Sequence, residues 1–303
     1  MPLPSSGQVS LSDIAAEFGG VVPHSMSEYL GAAAGVPASG RLRIRDFYGK
    51  SNDVAISATG GTISDSGGYR YHTFTSGGTF TVNSAAAGAF SNTVDTLILA
   101  AGGGVDVRGS TNSTGQYGGG GGGGMVETSF AASVGSKTVS IGQGVTNDSG
   151  QNSSVTSLTT AIGGGAGGYQ NSKGFSGGSG GGSGNGHTGG SGTAGQGNKG
   201  GDSFRGGFGG GGGGAGAAGG SPHPSSYIGG NGGNGKAWLN GITYAGGGSG
   251  GGFVGPPGSA GTGGGGRSGP GTFYGGGAGA GNLSNATHIL PGYQGIVIFR
   301  YQI

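Results

Sequence analysis

Between Gly174 and Gly197 the chain reads GFSGGSGGGSGNGHTGGSGTAGQG, with glycine at every third position from Gly174 to Gly195 except at Ser183. Glycine loses more conformational freedom on folding than any other residue, so an ordered glycine tract needs dense backbone interactions to offset the loss. A strict triplet also marks collagen, but collagen is rich in proline, and here 10 prolines stand against 89 glycines in 303 residues. The choice is therefore between a tether and a packed body. The flanks favour packing: AWLNGITYA (237–245) and GIVIFRY (295–301) read as strands, so the tracts at 163–235 and 246–281 are insertions between sheet elements. A polyproline-II rod has three residues per turn and no internal hydrogen bonds. Glycine along one edge lets such rods approach to backbone contact, where neighbouring rods satisfy their N–H and C=O groups. A shorter phase runs through Gly255, Gly258, Gly261 and Gly264, whereas the run 118–124 has no phase to read.

The rest of the chain divides around these tracts. Residues 1–51 carry helical punctuation: Ser10-Leu-Ser-Asp13 and Ser25-Met-Ser-Glu28 have the form of capping boxes, opening LSDIAAEF and MSEYLGAAA as two short amphipathic helices. PSSGQVSLSDI (4–14) is echoed by PASGRLRIRDF (37–47). A unit this small has difficulty burying enough apolar surface alone, so Leu11, Ile14, Phe18, Tyr29, Leu30, Phe47 and Tyr48 are its candidates for attachment or oligomerisation. Residues 52–160 read as a β-sandwich, with strands at YRYHTF (69–74), GTFTV (78–82), VDTLILAA (94–101), GMVETSF (124–130) and SKTVSIG (136–142), completed by the strands near 237–245 and 295–301. Trp238 is expected in the sheet core. Residues 161–303 make the glycine-rich lobe. The expected class is mainly β, with a small helical N-terminal segment, a sandwich and a polyproline-II-like bundle.

Several stretches together resemble the glycine-rich domain at the ends of phage tail-fibre and related virion proteins: TGGTISDSGGYRYHTFTSGGTFTV, VDTLILAAGGG, ITYAGGGSGGG and the terminal GYQGIVIFRY. The resemblance covers roughly 54–303. GQVSLSDIAAEFGG and ASGRLRIRDFYGKS are similar to N-terminal segments of phage structural proteins. It implies a layered polyproline-II bundle whose variable loops contact a bacterial surface glycan or outer-membrane protein. It also implies a virion location, assembly with other tail proteins through the N-terminal segment, and a homo-oligomer, with a trimer favoured.

Enzyme chemistry is thinly represented. Cleaving a glycan takes two carboxylates across the scissile bond, and residues 151–303 hold Asp202 as their one acid; Asp95, Asp106, Glu127 and Asp148 read as strand-end or turn acids. His24, His72, His187, His223 and His288 lack metal-ligand spacing. Gly230 to Ala237 nearly spells a phosphate-binding loop, but Ala237 stands where Ser or Thr would hold magnesium. The chain has no cysteine, and no apolar run long enough for a membrane helix. Lys and Arg outnumber acids six to one after residue 150, a charge too sparse for a nucleic-acid patch. No cofactor, metal or membrane insertion is expected. What remains is a set of side chains punctuating the glycine: Tyr169, Phe175, His187, Phe204, Arg205, Phe208, His223, Tyr227, Phe253, Phe273 and Tyr274. Aromatic faces beside polar donors suit sugar rings or protein loops. These are the receptor-binding candidates, with rod-capping as the alternative for each. The rival for the whole chain is a purely structural tail, neck or capsid-decoration protein.

Overall fold

The computed structural model describes residues 2–33, 35–105, 117–223, 225, 227–252, 255–281 and 290–303. In the N-terminal unit, Ser10 caps helix α1 (Leu11–Phe18): its side chain accepts the Asp13 N–H at 3.1 Å, and the Asp13 carboxylate accepts the Ser10 N–H at 2.7 Å. The Glu28 carboxylate likewise accepts the Ser25 N–H (2.8 Å), and that of Asp46 the Arg43 N–H (2.7 Å). These two boxes close only 3₁₀ turns, Met26–Tyr29 and Ile44–Phe47. The second expected helix therefore ends at Tyr29. Gly31 turns left-handed (φ 70°) and sends its N–H to Pro37, which diverts the chain. Asp13 and Asp46 hold equivalent places in the two halves of the echo. Ile14, Tyr29 and Phe47 are buried with Leu3, Val9 and Val36 in a core of the unit's own.

The strands, in chain order, are β1 (Ser57–Thr59), β2 (Thr62–Ser66), β3 (Tyr69–Phe74), β4 (Gly78–Ser84), β5 (Thr93–Leu99), β6 (Met125–Ala131), β7 (Gly135–Ser140), β8 (Ser154–Val155), β9 (Lys236–Ala237), β10 (Thr243–Tyr244) and β11 (Ile296–Gln302). They form antiparallel sheets ordered β2-β3-β11-β5-β6 and β1-β4-β7-β8, with β9 and β10 as a separate pair. Period-2 alternation puts Phe74, Val94, Ile98, Val126, Val297 and Phe299 on one face of the larger sheet, against Ala58, Phe80, Val82, Val139 and Val155 of the smaller. The C-terminal strand returns to the middle of the sheet, between β3 and β5.

AWLNGITYA is not a single sandwich strand. Asn240-Gly241 turns it into a hairpin, Gly241 taking φ 76° and β9 pairing with β10. The hairpin lies on the outer face of the larger sheet, where Trp238 and Tyr244 pack with Leu97, Leu99, Met125, Ile296 and Ile298. Trp238 thus joins a sheet core, on the face away from the sandwich interior.

His72 is fully buried in the sandwich. Its Nδ1 lies 2.7 Å from the Gly60 carbonyl, which can only accept, so Nδ1 carries the proton and Nε2 accepts from the Tyr301 hydroxyl at 3.0 Å. Burial lowers its pKa below the ordinary 6.5. The unfolded chain then binds a proton at higher pH than the folded one. The stability this neutral imidazole contributes is complete above the unfolded value and is lost as pH falls from there towards the folded pKa. The urea midpoint of the protein should fall between about pH 7.5 and 5, and His72→Gln should remove part of that slope. An unchanged slope in the variant would assign the pH dependence elsewhere.

The glycine tracts pack as rods, and the hydrogen bonds show their repeat. Gly118, Gly121 and Gly124 donate to Gly168, Gly165 and Ile162; Gly119 and Gly122 to Gly210 and Gly213; Gly120 and Gly123 to Ala278 and Gly275, all at 2.7–3.0 Å. Every third residue returns to the same neighbour, as three residues per turn requires. The same rod accepts from Gly182 and Ser179, from Gly251 and Gly248, and from Gly103 and Ala100. It therefore donates to three rods and accepts from three others. Every side of it meets backbone, and a Cβ at Gly118 through Gly123 would overlap a carbonyl group of a surrounding rod. The run 118–124 has no phase because no position on it faces open space.

The long triplet, by contrast, is not one rod. The chain reverses at Asn185-Gly186 and again at 194–196, and Gly186 and Gly195 are left-handed turn residues (φ 73° and 75°). Gly264 (φ 99°) is also a turn residue, not a rod edge. Residues 100–105, 117–124 and 148–151 supply rods as well, so the bundle draws on chain before residue 161.

Strand register gives the molecule a direction. Leu99 pairs with both Met125 and Ile296, and rods adjoin these strand ends at Ala100, Gly124 and Gly295. At the opposite ends Thr93 pairs with Ala131, and the Gln302 side chain accepts the Ser91 N–H at 3.4 Å. The N-terminal unit joins there: Asp53 accepts the Ala89 N–H (2.6 Å), Val54 pairs with Ala87, and Glu17 accepts the Asn52 N–H (3.0 Å). N-terminal unit, sandwich, rods and rod-end loops follow one another along a single axis.

Candidate functional site

The loops at the far end of the rods are tied to one another. The Asn185 side chain donates to Asn171 (3.3 Å) and accepts the Gly206 N–H (3.1 Å), joining three loops. Ser183 donates to the His187 carbonyl (2.7 Å). The Ser203 hydroxyl accepts the His187 N–H (3.2 Å) and donates to the Gly184 carbonyl. Although Ser203, His187 and Asp202 lie close together, the serine's bonds go to backbone, Asp202 pairs with Lys199 (2.7 Å), and no nucleophile–base pair results. Among the described residues no group of His, Asp or Glu could hold a metal ion. The strand acids serve ion pairs: Asp95 with Arg300 (2.8 Å) and Glu127 with Lys236.

The receptor-binding candidates separate on this frame. Phe204 (49% exposed), Arg205, His223 and Tyr227 (56%) are exposed at the loop end, with Tyr227 on a left-handed turn (φ 58°). His187 and Tyr169 are half-buried there, Tyr169 against the buried Tyr117 ring at 5.5 Å. Phe175 is exposed part-way along the bundle, its N–H bonded to Ala166. Phe208 (5% exposed) is buried beneath Tyr227 at 5.8 Å and acts as packing. Phe253 lies outside the described residues, as do Asp106 and His288. Of the N-terminal candidates, Ile14, Tyr29 and Phe47 are internal, Leu11, Phe18 and Tyr48 are partly buried against them, and Leu30 is exposed.

Phe273 and Tyr274 sit elsewhere. The β9–β10 hairpin covers the β5–β6 side of the outer sheet face and leaves the β2–β3 side open, creating a groove of about 340 Å³. Ser64, Ser66, Tyr71 and Thr73 line its sheet wall; Ile242, Tyr244, Phe273 and Tyr274 line the other. The aromatic wall is braced: Tyr244 stacks on Phe273 (5.6 Å, 23°), Phe273 meets Tyr274 edge-on (5.0 Å), and Tyr274 meets Tyr293 (5.5 Å). Asn240, also on the lining, donates to the Tyr244 hydroxyl at 2.8 Å. Burial raises the Tyr244 pKa, so this hydroxyl stays protonated.

Residues 73–302 match the family model for a glycine-rich domain. The chain belongs to that glycine-rich domain family. No curated protein matches it. The glycine-rich domain begins within β3 and ends within β11, so the family unit comprises sandwich strands and rods together, and the N-terminal unit precedes it. Sequence reasoning passed over Ser64, Ser66, Asn240 and Tyr244 of the glycine-rich domain and its edge strand. Two signals could have found them: alternating hydroxyls at Thr62, Ser64 and Ser66, and the Asn240-Gly241 turn.

Proposed function

We propose that this protein is a phage tail-fibre or tail-tip component that is fixed to the virion by its N-terminal unit and binds the host cell surface through its rod-end loops. The observation that supports this reading most is the axial order, which puts the N-terminal unit and the exposed loop side chains at opposite ends of the molecule. Phe204, Arg205, His223 and Tyr227 offer aromatic faces and a guanidinium to a surface glycan or an outer-membrane protein. The rods fix the loops before binding, which lowers the ordering cost. Val21, Val22 and Leu30 are the exposed apolar side chains through which the N-terminal unit meets other tail proteins or its own copies. A trimer is the proposed assembly, and several copies on one virion raise weak single-site affinity through effective concentration. The reading assigns the protein no catalysis and no cofactor.

The test is host adsorption by virions carrying Phe204→Ala, Arg205→Ala and Tyr227→Ala together. Losing two aromatic anchors and a guanidinium should lower adsorption at least roughly tenfold; Phe204→Ala and Arg205→Ala, both exposed, should leave the melting temperature unchanged, whereas Tyr227→Ala, which uncovers Phe208, should lower it by about 2–4 °C. Unchanged adsorption would favour a purely structural spacer.

A further inference from the structure

We infer that the groove on the outer face of the larger sheet is a binding site for a neutral saccharide, separate from the loop end and independent of the function proposed above. A sugar ring has a face of C–H groups and a rim of hydroxyls, and so suits a cleft with one aromatic wall and one wall of donors and acceptors. The groove has this division. Its Tyr274 side presents aromatic surface held in place by Phe273 and Tyr293. Its sheet side presents the hydroxyls of Ser64, Ser66 and Thr73, with the Asn240 amide at the hairpin. Each such hydroxyl both donates and accepts, which matches a sugar hydroxyl in either direction. The strand register makes this wall regular, since Ser64 pairs with Tyr71, and Thr73 pairs with Thr62 and Ile298.

Charge defines the class of sugar. No Asp, Glu, Lys, Arg or His is among the residues lining the groove. Arg300, on this face of the sheet, binds Asp95 (2.8 Å) and stacks over Tyr69 at 4.1 Å, and Arg70, on the opposite face, makes two 2.8 Å bonds to Asp65. A uronic acid or a phosphosugar would find no free counter-charge here and would lose hydration for nothing. A hydrocarbon chain would leave the wall hydroxyls unpaired. The volume is near the lower end of the roughly 300–1,000 Å³ range of small-molecule pockets, enough for one or two rings.

Glucose, galactose, mannose and N-acetylglucosamine, each as the methyl glycoside, serve as probes, with methyl glucuronide as the charged control. Binding is followed by saturation-transfer NMR on the full chain. At least one neutral probe should bind, with a Kd of about 0.1–10 mM, and the glucuronide should not. Tyr274→Ala should weaken binding at least roughly tenfold. Because that change also loosens the aromatic wall, Ser66→Trp provides a second variant: it fills the groove from an exposed position on an edge strand that tolerates aromatics, and should abolish binding without lowering the melting temperature. The triple loop variant should bind the sugar as the parent does. Failure of all four neutral probes, or binding that survives Ser66→Trp, would overturn the proposal whatever the adsorption assay shows.

Discussion

Gly120→Ala is expected to stop the rod bundle from forming. Its Cβ would overlap the Gly103 carbonyl and lie 3.0 Å from that of Gly104, both backbone and neither able to rotate away. To admit a methyl group, rods 100–105 and 117–124 must separate. That breaks the bonds from Gly103 to Gly121 (2.8 Å) and from Ala100 to Gly124 (3.0 Å), where the freed groups have no room for water. Overpacking costs about 1–3 kcal/mol, and each buried group left unpaired about 1–3 kcal/mol more. Together these reach roughly 4 kcal/mol or above, a large share of the ~5–15 kcal/mol that holds a typical domain together. The variant should melt about 10 °C or more below the parent, or accumulate insoluble. Gly269→Ala is the control, because the nearest atom to its Cβ is 3.8 Å away and its φ is ordinary; it should melt within about 2 °C of the parent. A Gly120→Ala protein melting with the parent would mean that the rods are not in backbone contact.

Much of this fold could be read from local pattern, and the boundary of what could be read has a physical cause. β-branched and aromatic residues marked YRYHTF and GTFTV as strands, and the apolar GIVIFRY as one more; that GIVIFRY is buried on both faces follows from its place between β3 and β5. Capping boxes marked α1, but they could not distinguish an α-helix from the 3₁₀ turn at Met26–Tyr29, because that outcome depends on Gly31 reaching across to Pro37. A triplet can propose a rod; it cannot show where the chain reverses, and an unbroken glycine run carries no phase at all. Rod neighbours come from segments as distant in sequence as Gly120 and Ala278. The same limit governs the candidate sites. Phe208 and Tyr227 are both aromatics beside glycine, yet one is buried by the other. The groove joins Ser64 to Tyr274, a juxtaposition that only the β3–β11 pairing and the hairpin produce.

Phe299→Ala should be the most damaging single truncation in the sandwich. The ring lies parallel to Phe80 at 4.1 Å and meets Phe74 at 5.8 Å and Phe130 at 6.3 Å, so it joins both sheets at the level of the central strand. Removing a buried phenylalanine of this kind costs about 3–5 kcal/mol, the vanished contacts and the cavity both contributing. Phe299→Leu, which refills part of the space, should cost less than half as much. Equilibrium urea unfolding measures both, and a loss below about 1 kcal/mol for the alanine variant would place the ring outside the cooperative core.

The axial order of the molecule also decides how it bears tension. A pull between the rod-end loops and the N-terminal unit runs lengthwise through the rods and then through β5, β6 and β11, which they adjoin at Ala100, Gly124 and Gly295. The hydrogen bonds between neighbouring segments lie across that line of force. Stretching must therefore shear many bonds at once instead of peeling them one by one. An interior of peptide groups with almost no side chains leaves little slack to take up first, so a tug at the rod-end loops arrives at the N-terminal unit nearly undamped.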